Sequence, residues 1–372
     1  MREISIETPT LIVDEARVRR NIAFMAEKAR RQGVRLRPHF KTHQSAAIGD
    51  WFRQAGVEAI TVSSVQMAQY FARHGWRDIT IAFPFNVRQS AAINALAQQV
   101  RLGILVESPE ALAAVRQKLH ADLDLWFEID DGSGRSGLDW QGASNASISA
   151  LLDAVGDCPN LHPRGLLTHA GRIYRARGAA EIRQVYQETV ERMQQARRGL
   201  ALELSVGDTP GCTLADDLGA VDEIRPGNFV FYDVQQLMLG VCRADQIALA
   251  VACPVVAKYP SRQEVVIYGG AVHLSKDTVL VDGQAVYGLA ANGPAALPCD
   301  AGWGDPLPGA SVARLTQEHG VLRLPSPWID QIKIGDLLYV LPAHSCLAVS
   351  ALGAGGVLTL DGQLLPTLHS PA

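Results

Sequence analysis

The sequence predicts an α/β fold, a parallel (β/α)8 TIM barrel followed by an antiparallel β domain. Three observations carry that expectation. Eight apolar runs alternate with helix-like segments between residues 34 and 233. Such a rhythm implies a parallel sheet, and eight units over roughly 220 residues suit a barrel of typical size. The unusual polar residues fall at the C-terminal ends of those runs, the rim where barrels place their chemistry. After about Ala244 the texture changes to short β-like runs broken by Pro and Gly, as in NGPAALP and GWGDPLPG, which reads as an antiparallel domain.

The chain opens with a short strand, Thr10–Val13, and a helix over Asp14–Gln32 that is rich in Arg, Ala and Glu. The barrel runs follow: Val34–Thr42, Glu58–Ser64, Asp78–Pro84, Val100–Ser108, Asp124–Asp130, Arg164–Ala170, Leu202–Thr209 and Glu223–Asp233. Helical segments lie between most of them, at Ser45–Ala55, Val65–His74, Arg88–Gln99, Pro109–Leu119, Ser144–Val155 and Ala179–Arg198. The segment between the seventh and eighth runs is short and only weakly helical. A doubly wound open sheet is the competing reading, but it calls for a GxGxxG turn after the first strand. This chain has KTHQSA there. The later β-like runs are Ala248–Ala257, Glu264–Ile267, Val312–Thr316, Leu337–Val340 and Gly356–Leu360. The expected domains are a barrel over 14–244 and a β domain over 1–13 and 245–372, the N-terminal strand joining the second.

Composition excludes several function classes. Of 372 residues, 48% are hydrophobic, enough for a large core, and the formal charge of -4 favours neither nucleic acid nor an anionic membrane. The N-terminus MREISIETPTLIVDE has no apolar core of a secretory signal, and no run approaches the ~18 apolar residues of a spanning helix. Cys158, Cys212, Cys242, Cys253, Cys299 and Cys346 lack CxxC spacing, so they read as reduced thiols of a cytoplasmic protein.

The stretch VRLRPHFKTH, residues 34–43, holds the densest chemistry. On a strand, Arg37, His39 and Lys41 would share one face and Leu36, Pro38 and Phe40 the other. Inward-facing cations call for an anionic ligand, and Lys41, at the strand's C-terminal end, is either placed to serve as a Schiff-base amine or a surface lysine at a strand end. The segment SVGDTP, residues 205–210, offers Ser205, Gly207 and Thr209, small residues that let backbone N–H groups approach a phosphate. A βα turn capped by Asp208 or Thr209 explains it equally. Arg135, in a Gly-rich approach, is either an anion donor or a solvated loop arginine. His169 and Tyr174, taken singly, read as packed residues. In LPAHSC, His344 and Cys346 would share a strand face and could grip one soft divalent ion, with positions left open for water or substrate. The cluster Gln317-Glu318-His319-Gly320 reads as a turn or salt bridge.

Together these residues resemble the pyridoxal-phosphate enzymes of the alanine racemase fold, and more narrowly the D-threonine aldolase and D-serine dehydratase family. The resemblance runs through TPTLIVDE, RPHFKTH, GRSGLDW, THAGRIY, SVGDTP, IRPGNFVFYD and LPAHSCLAV. It implies an alanine racemase-type barrel with Lys41 bound covalently to pyridoxal 5'-phosphate. Cofactor contacts would come from His39, Arg135, Tyr174, Ser205, Gly207, Thr209, Gly227 and Asn228. A divalent metal, zinc in preference to manganese or magnesium, would sit on His344 and Cys346. The implied activity is that of a lyase on a D-β-hydroxy amino acid. Lys41 would act at Cα, and His43 or His169 would handle the hydroxyl proton. A homodimer with the active site at the subunit interface is also implied. Gln44 and Leu167 depart from the family pattern, where lysine and tyrosine are common. A metal-independent racemase and a non-catalytic cofactor-binding protein are the alternatives.

Overall fold

A computed structural model describes residues 3–139 and 144–371; Trp140, the last residue of the GRSGLDW segment, lies outside the described residues. The chain forms two compact units. One comprises Met1–Ala23, Thr42–Trp51 and Asn228–Ala372, the other Phe24–Lys41 and Phe52–Gly227.

The second unit is the barrel. Its strands are β2 (Arg35–Leu36), β3 (Ala59–Val62), β4 (Asp78–Pro84), β5 (Arg101–Val106), β6 (Leu123–Asp130), β7 (Leu161–His169), β8 (Glu203–Gly207) and β9 (Glu223–Ile224), following β1 (Thr10–Val13) of the other unit. They form one parallel sheet in the order β2-β9-β8-β7-β6-β5-β4-β3. Between its end strands runs a single bridge, His39 to Thr61, with Phe40 N donating to Thr61 O and Thr61 N to Pro38 O, each at 2.9 Å. The barrel is therefore almost closed. Helices return the chain between strands, several opened by a side-chain cap: Ser64, Ser108 and Ser144 each accept a backbone N–H of the first turn.

Two strands are shorter than their apolar runs suggest. The first is not a strand over Val34–Thr42 but a short strand at Arg35–Leu36 followed by the isolated bridge at His39, because Pro38 has no N–H for a ladder and residues 40–43 turn. Phe40 pins that turn, its ring centroid 4.9–5.1 Å from those of Phe52, Phe71 and Trp76. The eighth, expected over Glu223–Asp233, gives way after Ile224 to a 3-10 turn at Asn228–Val230 and a helix at Val234–Met238. Arg37 also departs from expectation. Its guanidinium meets protein carboxylates, Glu223 at 2.7 Å and Asp78 at 2.6 Å, so its charge is balanced within the barrel rather than by a ligand.

The first unit is built on a nine-stranded sheet. β1 pairs antiparallel with Leu249–Tyr259 and parallel with Val357–Thr359. Leu249–Tyr259 also pairs with Glu264–Tyr268, closing six strands of the sheet into a ring and leaving few exposed edges. Gln317–Gly320 is a hairpin turn, with Thr316 N donating to His319 O and Glu318 3.6 Å from His273. The HSC segment is not on a strand. The chain leaves the sheet at Pro342, His344 stands at the N-cap, and Ser345–Leu352 is helical. The shared-face argument for His344 and Cys346 therefore fails, and their approach comes from the helix start. All six cysteines are free thiols. Among the described residues, no helix is long and apolar enough to cross a membrane.

Candidate active site

The ends of the barrel strands enclose a cavity of about 290 Å³. His39, Lys41, Glu128, Arg135, His169 and Arg225 supply its polar lining, and Ala82, Leu105 and Leu167 an apolar wall. Leu105 and Leu167 pack with Trp126 in the core, which makes that wall rigid.

Lys41 extends from the turn after β2, its backbone N–H donating to His39 Nδ1 at 3.3 Å. His169, at the end of β7, is held at Nδ1 by the Gly207 carbonyl at 2.6 Å. A carbonyl only accepts, so Nδ1 carries the proton and Nε2 keeps its lone pair. Burial, then Arg135 and Lys41, pull the His169 pKa down to about 3. His39 lies well below the usual imidazole range for similar reasons, burial first and Lys41 next. Both rings are thus neutral at physiological pH. The Tyr174 ring lies 5.9 Å from that of His169.

Arg225, just beyond β9, is almost fully buried. Its Nε donates to Ser205 Oγ at 2.7 Å and its Nη2 to the Thr168 carbonyl at 2.5 Å. Ser205 in turn donates to Glu223 Oε1 at 2.7 Å, so its hydroxyl serves as a bridge between two charged groups. A Cβ at Gly207 would crowd the Arg225 guanidinium, approaching it at 3.0 Å. Burial draws the Arg225 pKa down to about 10, against the pull of Glu223 and Glu128. Asp208 caps the short helix Thr209–Leu214 through Gly211 N–H, and burial pushes its carboxyl up to about 7. Thr209 is the buried first residue of that helix, and Gly227 is the last residue of this unit.

Arg225 and Glu128 were not singled out from the sequence. Glu128 had a legible signal: in LDLWFEID it alternates with Leu125, Phe127 and Ile129, a carboxylate turned to the opposite face of an apolar strand. Arg225 stood in view in IRPG, without a partner to mark it.

The other sequence-selected residues lie in the first unit. Asn228 Nδ2 donates to Asp233 Oδ2 at 2.6 Å and to Ser345 Oγ at 3.1 Å, and lies 3.8 Å from Cys346 Sγ. Cys346 Sγ is 3.3 Å from Thr42 Oγ1. His344 Nδ1 meets Asp277 Oδ2 at 2.8 Å. Burial lowers the His344 pKa, but its hydrogen bond and charge interaction with Cys346, then Asp233 and Asp277, push it up to about 10. A carboxylate behind one imidazole nitrogen with a thiol beside the ring is the donor chemistry of a metal site with its supporting partner. Among the described residues, no group of three His, Cys, Asp or Glu converges to hold a metal ion. His43 is buried, its Nδ1 accepting from Ser45 N at 3.2 Å, and burial brings its pKa down to about 3. Gln44 adopts φ 53 and donates to Ser350 Oγ at 3.0 Å.

Fold and cavity together define a class: a barrel enzyme with a lysine amine set among neutral histidines and arginines. The chain belongs to the alanine racemase N-terminal domain family, whose model matches residues 13–234, and residues 248–355 match a serine dehydratase-type domain. It is 29% identical to the D-threo-3-hydroxyaspartate dehydratase of Delftia sp., covering 97% of this chain and 96% of that protein. The solved structure of that dehydratase superposes with a TM-score of 0.85 at 28% identity, covering 98% of each chain. Identity to the D-serine dehydratase of Dictyostelium discoideum is 26% (97% and 95% covered). For the D-threonine aldolase of an Arthrobacter species it is 27% (91% and 86%).

Proposed function

We propose that this protein is a pyridoxal-phosphate-dependent lyase acting on D-β-hydroxy amino acids, of the D-serine dehydratase or D-threonine aldolase type. The observation that carries the proposal is the Lys41 cavity. Three cationic side chains, Lys41, Arg135 and Arg225, face one carboxylate, Glu128, and an anionic ligand balances that excess. Relatives named as dehydratases and aldolases of D-β-hydroxy amino acids support the reading.

Pyridoxal phosphate, when bound, supplies an electron sink for a carbanion at Cα. Lys41 would hold the cofactor, and its amine would carry the proton at the substrate's Cα. Arg225, fixed by Ser205 and Thr168, and Arg135 hydrogen-bond the ring substituents. His39 and Tyr174 bound the ring. Gly207, Thr209 and Gly227 offer backbone to the phosphate. In the aldolase reading, His169 Nε2, the acceptor on a neutral ring, would take the proton of the β-hydroxyl. His43 steadies the turn that follows Lys41. His344 and Cys346 would hold a divalent metal, and the softness of the thiolate favours zinc; such an ion would supply Lewis-acid polarisation of a hydroxyl. Asn228, through Asp233 and Ser345, braces that pair. A homodimer completes the reading, and six thiols outside any disulfide agree with a cytoplasmic setting.

The test is a panel of D-serine, D-threonine and D-3-hydroxyaspartate with added zinc or manganese. Pyruvate from D-serine marks a dehydratase, and glycine plus an aldehyde an aldolase. Enantiomer interconversion with neither product would replace this reading by a racemase. Lys41→Ala is expected to lose the visible absorbance of bound cofactor, and borohydride fixation that labels another residue would displace Lys41 from its role.

A further inference from the structure

Glu128 is the sole carboxylate among the described residues that line the Lys41 cavity, and no step above uses it. It is 2% exposed. Oε1 accepts the Ser136 hydroxyl at 3.1 Å and lies 3.7 Å from Arg135 Nη2. Oε2 is buried and has no hydrogen-bond partner, a costly state that native proteins keep where a ligand or chemistry requires it. Burial raises the Glu128 pKa, opposed by Ser136 and Arg135.

The loop carrying Arg135 and Ser136 is clamped over this carboxyl. Leu138 N–H donates to the Glu128 carbonyl at 2.7 Å, and Asp130 N–H to the Leu138 carbonyl at 2.9 Å. Gly137 makes the return at φ +110, where a Cβ would lie 2.6 Å from Asp130 N. The Asp130 carboxylate gathers the N–H groups of Gly132, Ser133 and Gly134. A loop tied this closely delivers Arg135, whose side chain is 54% exposed, to one fixed anchor.

Resting on the lyase reading, we propose that Glu128 is a positioning residue: Oε1 orients Arg135 and Ser136 toward the bound ligand, and Oε2 accepts one N–H or O–H from that ligand. Glutamine at 128 keeps the shape but loses the charge and places an amide N–H among the acceptor positions. In Glu128→Gln the Kd for pyridoxal phosphate, read by absorbance titration, should rise at least ten-fold, about 1.4 kcal/mol, and the visible band should shift. The Tm of the cofactor-free protein should hold or rise, because an unsatisfied buried charge is relieved. A merely structural glutamate predicts the reverse, a lower Tm with unchanged cofactor affinity. Adding Glu128→Gln to Arg135→Lys should cost less affinity than Glu128→Gln costs in the wild type, since the two changes share the Oε1 contact, while the Oε2 contact to the ligand still adds its own loss. An active wild type whose Glu128→Gln variant keeps Kd, band and kcat/KM overturns this inference alone. A wild type that neither binds pyridoxal phosphate nor converts any D-β-hydroxy amino acid overturns the lyase reading beneath it.

Discussion

Replacing Ser205 by alanine removes one hydroxyl that serves two buried charges. Ser205 Oγ donates to Glu223 and accepts from Arg225, each at 2.7 Å, with all three residues at most 4% exposed. A hydrogen bond to a charged group contributes about 1.5–3 kcal/mol. Neither partner is fully orphaned by the change. Glu223 Oε2 keeps Arg35 and Arg37, and Arg225 Nη2 keeps the Thr168 carbonyl. The expected loss is therefore near the low end for two such bonds, about 3 kcal/mol, or roughly 6–12 °C in Tm for a unit of this size. A released Arg225 should also weaken pyridoxal phosphate binding several-fold. Calorimetry of the cofactor-free protein and absorbance titration of cofactor measure the two effects separately. A Ser205→Ala protein with wild-type Tm and wild-type cofactor affinity would refute the bridge as the support of Arg225.

Cys346→Ala should lower retained zinc by at least ten-fold, measured by elemental analysis after dialysis, while the visible band of bound cofactor persists; zinc held at wild-type stoichiometry would remove Cys346 from the metal site. Burial alone would raise the Glu223 pKa, but Arg37 and Arg35 overcome it and hold the group at about 2 against an ordinary 4.5. A carboxyl lowered on folding gives stability that is complete above its unfolded pKa and lost as pH falls through the folded one. That difference corresponds to about 3 kcal/mol, lost between about pH 4.5 and 2. Glu223→Gln should flatten the stability profile in that window, and an unchanged acid slope in denaturant titrations would contradict the assignment.

The barrel was legible because its rhythm is local: each apolar run and each Ala- and Gln-rich segment announces itself within about ten residues. Lys41, His39, Arg135 and His169 were legible because a barrel gathers strand ends, so position along each run foretold their meeting. What escaped was either backbone chemistry or long-range pairing. Pro38 cut the first strand short, and the end of the sheet at Pro342 turned HSC from a strand into a helix start. Arg37 found Glu223 and Asp78, 186 and 41 residues away, a match that no local pattern encodes. Ser205 gave the same surprise: a small residue expected beneath a phosphate has its hydroxyl committed to Glu223 and Arg225.

The pairing of β1 with Leu249–Tyr259 and Val357–Thr359 sets an order of events at the ribosome. This strand, made ahead of the barrel, cannot find its neighbours until more than two hundred further residues have been made, while the barrel draws its strands from residues 35–224. Vectorial synthesis therefore favours the barrel as the first cooperative element, with Leu11, Ile12 and Val13 exposed to chaperones in the interval. Truncations from the C-terminal side would then strand that apolar segment and produce aggregation, even where every cofactor contact in the barrel is intact.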